Sequence, residues 1–187
     1  MVNLIDFLLS LHPLPDLLTE HLRGVIKERE FSRKDYLLKA GKICDNIYFV
    51  RTGLLRRWYF NGMIDISSGF MKEGDICLSI ESFFSRQPGN ENIQALEDSV
   101  IQSISYVKLN EFYREFPILN FAGRLLAQIQ AVEQDVRIKA MWMRKASHRY
   151  AWLQKNFPEL SQRVPAKYLA SFLGITNVMY SRLRAKT

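Results

Sequence analysis

The segment LASFLGITNVMYSRLR, residues 169–184, carries side chains that can hydrogen-bond both the bases and the phosphates of a nucleic acid. The amide of Asn177 and the guanidinium of Arg182 are groups that recognise base edges in the major groove of DNA. Serine, lysine and arginine side chains contact phosphates. The predicted DNA-binding residues are Thr176, Asn177, Val178, Ser181, Arg182, Arg184 and Lys186.

Two short helices joined by a tight turn explain the spacing of this segment. We predict helices over 166–173 and 177–185, with the turn at Gly174, because glycine adopts a positive φ without strain. The hydroxyl of Thr176 can cap the second helix. The positions that face inward are apolar, and they are Leu169, Leu173, Ile175, Tyr180 and Leu183. This pattern is typical of a helix-turn-helix, whose second helix enters the major groove.

Positive charge is concentrated in the last quarter of the chain. Residues 137–187 contain eleven Lys or Arg and one acidic residue, Glu159, whereas residues 1–136 contain fifteen basic and eighteen acidic residues. A basic end on a nearly neutral body favours binding to a polyanion. Two other interpretations fit the charge alone: a solvated basic surface, and a ligand-binding regulatory module whose basic C-terminal domain contacts a protein partner.

The residues needed for metal or acid–base catalysis are not grouped in this sequence. Cys44 and Cys77 are too few for a disulfide framework or a cysteine-rich metal site, and the three histidines have no metal-ligand spacing. We therefore expect no enzymatic activity, no metal site and no cofactor, and the effector stays unidentified. Because cysteines are few and no apolar run is long enough to span a bilayer, we expect a cytoplasmic protein without a membrane partner.

The body of the chain has the pattern of short antiparallel strands. Between residues 29 and 107, stretches such as NIYFV and SVIQSISYV alternate with turn signals, and glycines recur at positions 41, 53, 62 and 74. This rhythm predicts a compact β-sandwich or barrel. Helices are predicted before it, within 3–28, and after it, over 108–116.

Residues 118–145 are predicted to form one long helix. Its apolar stripe advances in steps of three and four residues, which is the pattern of a seam between two helices. A second copy of the chain would bury this seam, with Glu133 and Ala140 as its weak points. The predicted dimer-interface residues are Leu126, Ile129, Val136 and Met143. The alternative is a single helix that is buried in the core of its own domain.

The order of these features resembles the Crp-Fnr transcription regulators over nearly the whole chain. The resemblance is carried by the motifs AGKICDNIYFVRTG and KEGD, the long helix and the helix-turn-helix. It implies an α+β fold with an N-terminal antiparallel β-roll of the jelly-roll type and flanking helices, a long dimerisation helix and a small C-terminal helix-turn-helix domain. The corresponding ranges are 1–117, 118–146 and 147–187.

The same resemblance implies a homodimer that binds a near-palindromic site in double-stranded DNA, and it makes RNA polymerase a candidate partner. The chain is most similar to the short members of the family, which have no C-terminal wing. Asn177, Val178 and Arg182 match the positions of the family's base-reading residues. An acidic residue is common at the position of Val178, so we do not expect the family's usual DNA sequence to be the target.

The family's nucleotide-binding members carry a Gly-Glu pair for the ribose and an Arg-Ser/Thr-Ala run for the cyclic phosphate. Here the matching positions are Leu78-Ser79 and Gly89-Asn90-Glu91, so the phosphate-binding arginine is missing and Glu91 is expected to repel a phosphate. A buried phosphate needs a compensating cation, and we therefore expect no binding of cyclic AMP or cyclic GMP. Arg86 and Glu81 could substitute from shifted positions, and the alternative is that both are ordinary surface charges. The predicted effector pocket consists of Leu78, Ser79, Glu81, Arg86, Gly89 and Asn90.

The aromatic residues have two interpretations. Phe83, Phe84 and the other aromatics of the predicted roll could line an apolar effector pocket or form the core of the roll. Trp142, Tyr150 and Trp152 lie around the predicted domain boundary. They are expected to pack the two domains together.

Overall fold

The computed structural model describes residues 3–186 and confirms the predicted α+β architecture. Two short helices, α1 (Leu4–Leu11) and α2 (Asp16–Val25), precede the strands. Asn3 caps α1, because its side-chain oxygen accepts a 2.9 Å hydrogen bond from the backbone N–H of Asp6. The outermost positions of the predicted domain ranges, Met1, Val2 and Thr187, lie outside the described residues.

Antiparallel strands form a β-roll of two four-stranded sheets that enclose one core. The strands are β1 (Lys27–Phe31), β2 (Tyr36–Leu38), β3 (Asn46–Thr52), β4 (Leu55–Asn61), β5 (Ile64–Met71), β6 (Ile76–Cys77), β7 (Glu91–Ala95) and β8 (Ser99–Ser105). The first sheet has the order β1-β8-β3-β6 and the second the order β2-β7-β4-β5, so β5 is an edge strand. Phe49, Val50, Leu55 and Ile93 are completely buried between the sheets.

The turn between β3 and β4 requires glycine at position 53. Gly53 has a φ of +99°, and a Cβ atom there would lie 2.1 Å from the hydroxyl oxygen of Ser99. Any side chain would therefore meet both backbone strain and a steric clash. This glycine allows the second sheet to begin directly after the first.

A short helix, α3 (Ile80–Ser85), lies between β6 and β7, where the sequence pattern predicted only strands. Phe83 buries its ring in the core of the roll. The helix ends at Arg86, which has a φ of +59° and forms an ion pair with Asp45. The Arg86 guanidinium also stacks on the Tyr106 ring at 4.1 Å. These long-range contacts stabilise a helix that strand periodicity does not reveal.

Two further helices, α4 (Tyr106–Glu115) and α5 (Ile118–Met141), follow the roll. Helix α5 ends four residues before the predicted position 145, and residues 142–145 form a non-helical hinge. Leu119 and Ala122 of α5 are buried in the core of the roll. The long helix therefore begins as part of the N-terminal domain and leads to the hinge.

The C-terminal helices build a second, smaller core. They are α6 (Ala146–Asn156), α7 (Leu160–Arg163), α8 (Ala166–Phe172) and α9 (Asn177–Arg184). Leu153, Leu169 and Leu173 are completely buried in this core. So is Leu54 of the β3–β4 turn, and Phe70 of β5 packs against the same cluster. The roll thus contributes side chains to the core of the C-terminal domain.

Polar contacts fasten the C-terminal helices to the edge of the roll. The hydroxyl of Ser171 in α8 donates to the carbonyl of Asp65 at 2.7 Å and accepts from the N–H of Ser67 at 2.9 Å. Arg163 of α7 forms ion pairs with Glu73 at 2.9 Å and Glu97 at 2.7 Å. The hydrogen bond from Arg163 lowers the pKa of Glu73 to about 2, and Glu97 and Glu73 raise the pKa of Arg163.

The burial of Leu54 predicts that a roll residue stabilises the C-terminal domain. Leu54→Ala should lower the free energy of unfolding by about 2–5 kcal/mol, because it leaves a cavity at a fully buried position. Urea unfolding followed by circular dichroism measures the loss. The matched control is Met63→Ala at the tip of the β4–β5 hairpin, where the side chain is 98% exposed and the expected change is within about 0.5 kcal/mol. Equal effects of the two substitutions would contradict the shared core.

Candidate nucleic-acid interface and effector cavity

Helices α8 and α9 form a helix-turn-helix with the predicted turn and cap. Gly174 has a φ of +62° with open space around its Cα, so backbone conformation and not crowding favours glycine. The hydroxyl of Thr176 accepts a 3.2 Å hydrogen bond from the N–H of Met179 and caps α9. Leu169, Leu173 and Tyr180 are buried where the two helices meet. The predicted inward positions Ile175 and Leu183 are partly buried against the same core.

The outer face of α9 and the residues at its two ends are open to solvent. All seven predicted DNA-binding residues are exposed, namely Thr176, Asn177, Val178, Ser181, Arg182, Arg184 and Lys186. Val178 has 61% of its surface exposed although it is apolar. An apolar side chain on such a face can contact the methyl group of thymine. The arrangement therefore presents amide, guanidinium and apolar groups together on one accessible helix.

Arg149 of α6 supports this surface and was not assigned by sequence analysis. Its guanidinium donates to the carbonyl of Met143 in the hinge at 2.7 Å and to the carbonyl of Gly174 in the turn at 3.4 Å. The side chain thereby connects the end of the long helix to the helix-turn-helix. Its place within a basic segment was the only sequence signal, and that signal does not indicate a bond to either carbonyl.

Only part of the basic charge of the C-terminal quarter faces solvent. Arg163 is engaged by two glutamates, and Arg137 donates to backbone carbonyls of β5. Besides the basic residues of α9 and its end, the exposed basic residues of this part are Lys139, Arg144, Lys145, Lys155 and Lys167, and Lys139 is paired with Asp135. The charge available to a polyanion is therefore smaller than the sequence count indicates.

Inside the roll, a network of buried polar side chains occupies part of the predicted effector pocket. Arg57 of β4 forms an ion pair with Glu91 at 3.2 Å, and both side chains are largely buried. The hydroxyls of Ser79 and Ser68 donate to the two oxygens of Glu91 at 2.7 and 3.0 Å. Arg57 also donates to the carbonyl of Leu78 at 2.8 Å. Glu91 was expected to repel a phosphate, and the structure shows that it is neutralised by an arginine that the sequence motif did not indicate.

Gly89, the position matched to the missing arginine, has no room for a side chain. A Cβ atom there would lie 2.9 Å from the Cβ of Ser82. Its backbone N–H donates to the carbonyl of Lys42 at 3.3 Å, and its carbonyl accepts from the N–H of Gly41 at 2.7 Å. A phosphate at this position would therefore meet no side chain, and the backbone N–H is already engaged by Lys42.

The remaining predicted pocket residues do not converge with this network. Arg86 pairs with Asp45 and donates to the carbonyl of Cys44 at 3.1 Å. Glu81 and Asn90 are solvent exposed. Leu78 and Ser79 are buried, and Ser79 alone of the polar residues in the predicted set contacts Glu91.

Two cavities border the long helix. An apolar cavity of about 360 Å³ lies beside α3, α4 and α5, and both Phe83 and Phe84 line it. A second cavity of about 470 Å³ lies between the roll, α5 and the C-terminal helices, and it is lined by Arg57, Arg137 and several aromatic side chains. Burial, together with the nearby positive charge of Arg57, lowers the pKa of Arg137 to about 10. Of the predicted effector-pocket residues, Leu78 reaches both cavities.

The predicted dimer residues have different surroundings. Leu126 packs partly against the core of the roll, whereas Ile129 and Val136 are 42% and 44% exposed. Met143 is partly buried in the hinge and lies beyond the last residue of α5, so it does not continue the helical stripe. The exposed apolar residues on one face of α5 are Ile118, Phe121, Ile129, Val132 and Val136, and this set is called the α5 stripe below.

The tryptophans differ from the expectation for the domain boundary. Trp142 is 83% exposed, so it does not pack the domains together. Tyr150 is buried against Tyr180, with ring centroids 5.5 Å apart, and Trp152 lies 6.4 Å from Phe172. Tyr150 and Trp152 belong to the core that the C-terminal helices share with Leu54 and Phe70 of the roll, whereas the packing role predicted for Trp142 is wrong.

Residues 3–186 contain neither a metal-binding cluster nor a membrane-spanning helix. No group of three or more His, Cys, Asp or Glu residues in that range is arranged to hold a metal ion. Cys44 and Cys77 are buried free thiols, and burial raises the pKa of both. None of the described helices has the length and apolarity needed to cross a bilayer.

Comparisons with known proteins agree with this architecture. Residues 28–116 match the cyclic nucleotide-binding domain family. A comparison with curated protein sequences found no match. Among solved structures, the c-di-GMP responsive global regulator CLP of Xanthomonas campestris has a TM-score of 0.74 at 13% identity, covering 92% of this chain and 91% of that one.

Two other solved structures extend the similarity. FixK2 of Bradyrhizobium japonicum has a TM-score of 0.70 at 16% identity, over 87% of this chain and 84% of that one. The catabolite activator protein of Thermus thermophilus has a TM-score of 0.58 at 16% identity, over 94% and 84% of the two chains. Residues 28–116 are therefore similar to the cyclic nucleotide-binding domain family, and the chain as a whole shares its fold with these solved structures.

Proposed function

We propose that this protein is a sequence-specific DNA-binding transcription regulator that acts as a homodimer. The observation that carries the proposal is the exposed outer face of α9 on a helix-turn-helix whose turn and cap are both formed. Asn177 and Arg182 supply base-reading groups on that face, and exposed lysines and arginines nearby supply phosphate contacts. Similar folds occur in proteins described as regulators, which supports the same function.

Dimerisation is supported by the α5 stripe. Exposure of five apolar side chains on one helical face is unfavourable, since complete burial of such a side chain contributes about 1.5–3 kcal/mol. A second copy of the chain, packed around a two-fold axis along α5, would cover the stripe on both protomers. The same axis would place two α9 helices for the two halves of a near-palindromic site.

The effector of this regulator is proposed to differ from cyclic AMP and cyclic GMP. The Arg57–Glu91 ion pair already neutralises the charge inside the roll, and Gly89 offers neither a side chain nor an amide. A cyclic phosphate would have to displace Glu91 from Arg57 and from two serine hydroxyls. Such an exchange leaves a buried carboxylate without a partner, which is strongly unfavourable.

Selection of bound sequences from a random duplex library tests the proposed function. A DNA-binding regulator should enrich a near-palindromic sequence and should bind random duplex more weakly, with an affinity that falls steeply as salt increases. Enrichment of no sequence, together with salt-independent binding to random duplex, would favour a C-terminal domain that contacts a protein instead.

Arg182 is expected to contribute to sequence discrimination. Arg182→Ala should weaken binding to the selected duplex by about 5- to 150-fold, because a bidentate arginine–guanine contact contributes about 1–3 kcal/mol. Binding to random duplex should change little. Fluorescence polarisation on both duplexes measures the difference, and Arg114→Ala on exposed α4 surface is the control of equal charge change. An equal loss on both duplexes would make Arg182 a phosphate contact.

The α5 stripe predicts the effect of a charge at its centre. Ile129→Glu should convert the dimer to a monomer and abolish binding to the selected duplex, because two buried carboxylates would face each other across the two-fold axis. Ile138→Glu is the matched control, since Ile138 is also exposed on α5 but lies on the opposite face. Sedimentation velocity at micromolar concentration reports the oligomeric state. A monomeric unmodified protein would refute this interface.

Calorimetric titration tests the effector proposal. Neither cyclic AMP nor cyclic GMP should give saturable binding at micromolar concentration, because Arg57 is already paired with Glu91. Saturable binding of either nucleotide at a few micromolar would contradict this expectation and would imply that the Arg57–Glu91 pair opens.

A further inference from the structure

The cavity of about 470 Å³ between the roll, α5 and the C-terminal helices has an unusual distribution of charge. Much of its lining is apolar, with Phe70 and Met71 from β5, Val132 from α5, and Phe157 and Phe172 from the C-terminal domain. A volume of this size is within the range of small-molecule sites, about 300–1,000 Å³. The polar groups in such a lining decide which ligand it accepts.

Arg57 and Arg137 both line this cavity, but only Arg57 has a carboxylate partner. Arg57 is paired with Glu91 at 3.2 Å. No carboxylate in residues 3–186 forms an ion pair with Arg137. Its guanidinium instead donates to the neutral backbone carbonyls of Ser67 and Ser68, and its Nε is buried without a hydrogen-bond partner.

The partly buried guanidinium of Arg137 is positively charged, but its hydrogen-bond partners are neutral, so it lacks a paired negative charge. A buried charge is stabilised best by a group of opposite charge, and arginine binds a carboxylate through two parallel hydrogen bonds. The ring of Phe172, 4.4 Å from the Arg137 guanidinium, adds a favourable contact without adding negative charge. Burial lowers the pKa of Arg137, and the more distant negative charge of Glu91 opposes this shift without cancelling it.

The carboxylates that line the same cavity are directed to other partners. Glu159 is paired with Lys72, and Asp75 accepts a 2.9 Å hydrogen bond from the backbone N–H of Lys72. Glu133 accepts a 3.0 Å hydrogen bond from the side chain of Gln130. These groups leave Arg137 unpaired and would repel a ligand that carries several negative charges.

We propose that this cavity binds a small organic acid whose single carboxylate pairs with Arg137 and whose apolar body lies against the aromatic lining. One unpaired guanidinium matches one negative charge, and the neighbouring carboxylates exclude phosphate esters and polyphosphates. Among the residues of the effector pocket predicted from the sequence, only Leu78 lines this cavity, so the site is distinct from the nucleotide cassette.

Occupation of the cavity would alter the contact between α5 and β5. The carboxylate would replace two neutral carbonyls as the acceptors of Arg137, because charge-assisted hydrogen bonds are stronger. The ligand body would contact Phe172 of α8, so the roll and the helix-turn-helix would both touch it. An effect on DNA affinity rests on the proposed function, whereas binding of the acid does not.

The test compares phenylacetate and octanoate with their uncharged analogues 2-phenylethanol and 1-octanol, using the full chain without DNA. Quenching of tryptophan fluorescence measures affinity, since Trp152 lines the cavity, and thermal unfolding gives an independent measure. At least one of the two acids should bind at least about tenfold more tightly than its alcohol. Absence of this preference, or absence of binding by both acids, would overturn the proposal.

Variants of Arg137 test whether this residue causes the preference for the acid over the alcohol. Arg137→Met should remove the preference for the acid and leave the alcohol affinity unchanged, whereas Arg137→Lys should retain part of it because the charge remains. Arg124→Met, on the exposed surface of the same helix, is the matched control and should behave like the unmodified protein. A preference that persists in Arg137→Met would overturn the assignment. If Arg137→Met fails to fold, Arg137→Lys decides: an acid preference equal to that of the unmodified protein would overturn the assignment.

Discussion

Strand β5 has one free edge, and its backbone polar groups need partners other than a neighbouring strand. Two helices supply them: Ser171 of α8 bonds Asp65 and Ser67, and Arg137 of α5 donates to the carbonyls of Ser67 and Ser68. The register of β4 and β5 shifts at Ser68, and such a bulge leaves a residue outside the regular ladder. Because one strand edge bonds both helices, it fixes the roll, the long helix and the helix-turn-helix relative to one another.

Balanced buried charge is the second constraint on this arrangement. Arg56 is 1% exposed, pairs with Asp65 and lies 3.7 Å from the ring of Tyr168, so its charge is matched at the domain boundary. Arg57 is matched by Glu91 inside the roll. Because the two charges of this pair cancel, it leaves no net charge in this part of the roll. Arg137, at the boundary between the domains, is partly buried and donates to neutral carbonyls, so the proposed ligand site lies at that boundary and not in the roll interior.

The sequence predicted what depends on local patterns. The conformational preference of Gly174 predicts the turn, and the hydrogen-bonding preference of Thr176 predicts the cap. The spaced glycines of the roll predict its turns in the same way. Long-range partners were not predictable in this way. Helix α3 depends on Arg86 meeting Asp45 and Tyr106, and the charge of Glu91 was misjudged because Arg57 lies 34 positions away in the chain. Trp142 was expected to pack the two domains together because it lies near the predicted boundary, yet α5 ends at Met141 and Trp142 is 83% exposed.

The exposure of α9 limits how an effector could act on DNA binding. The outer face of α9 is exposed while α8 is hydrogen-bonded to β5, so the α8–β5 contact does not block that face. In the proposed dimer, the contact instead sets the separation and orientation of the two α9 helices, which must match half-sites about 34 Å apart. The edge of β5 and the hinge bridged by Arg149 are the connections that determine this geometry. A ligand that takes Arg137 from β5 alters the first of them. If the ligand changes the affinity for DNA by some factor, linkage requires that DNA change the affinity for the ligand by the same factor.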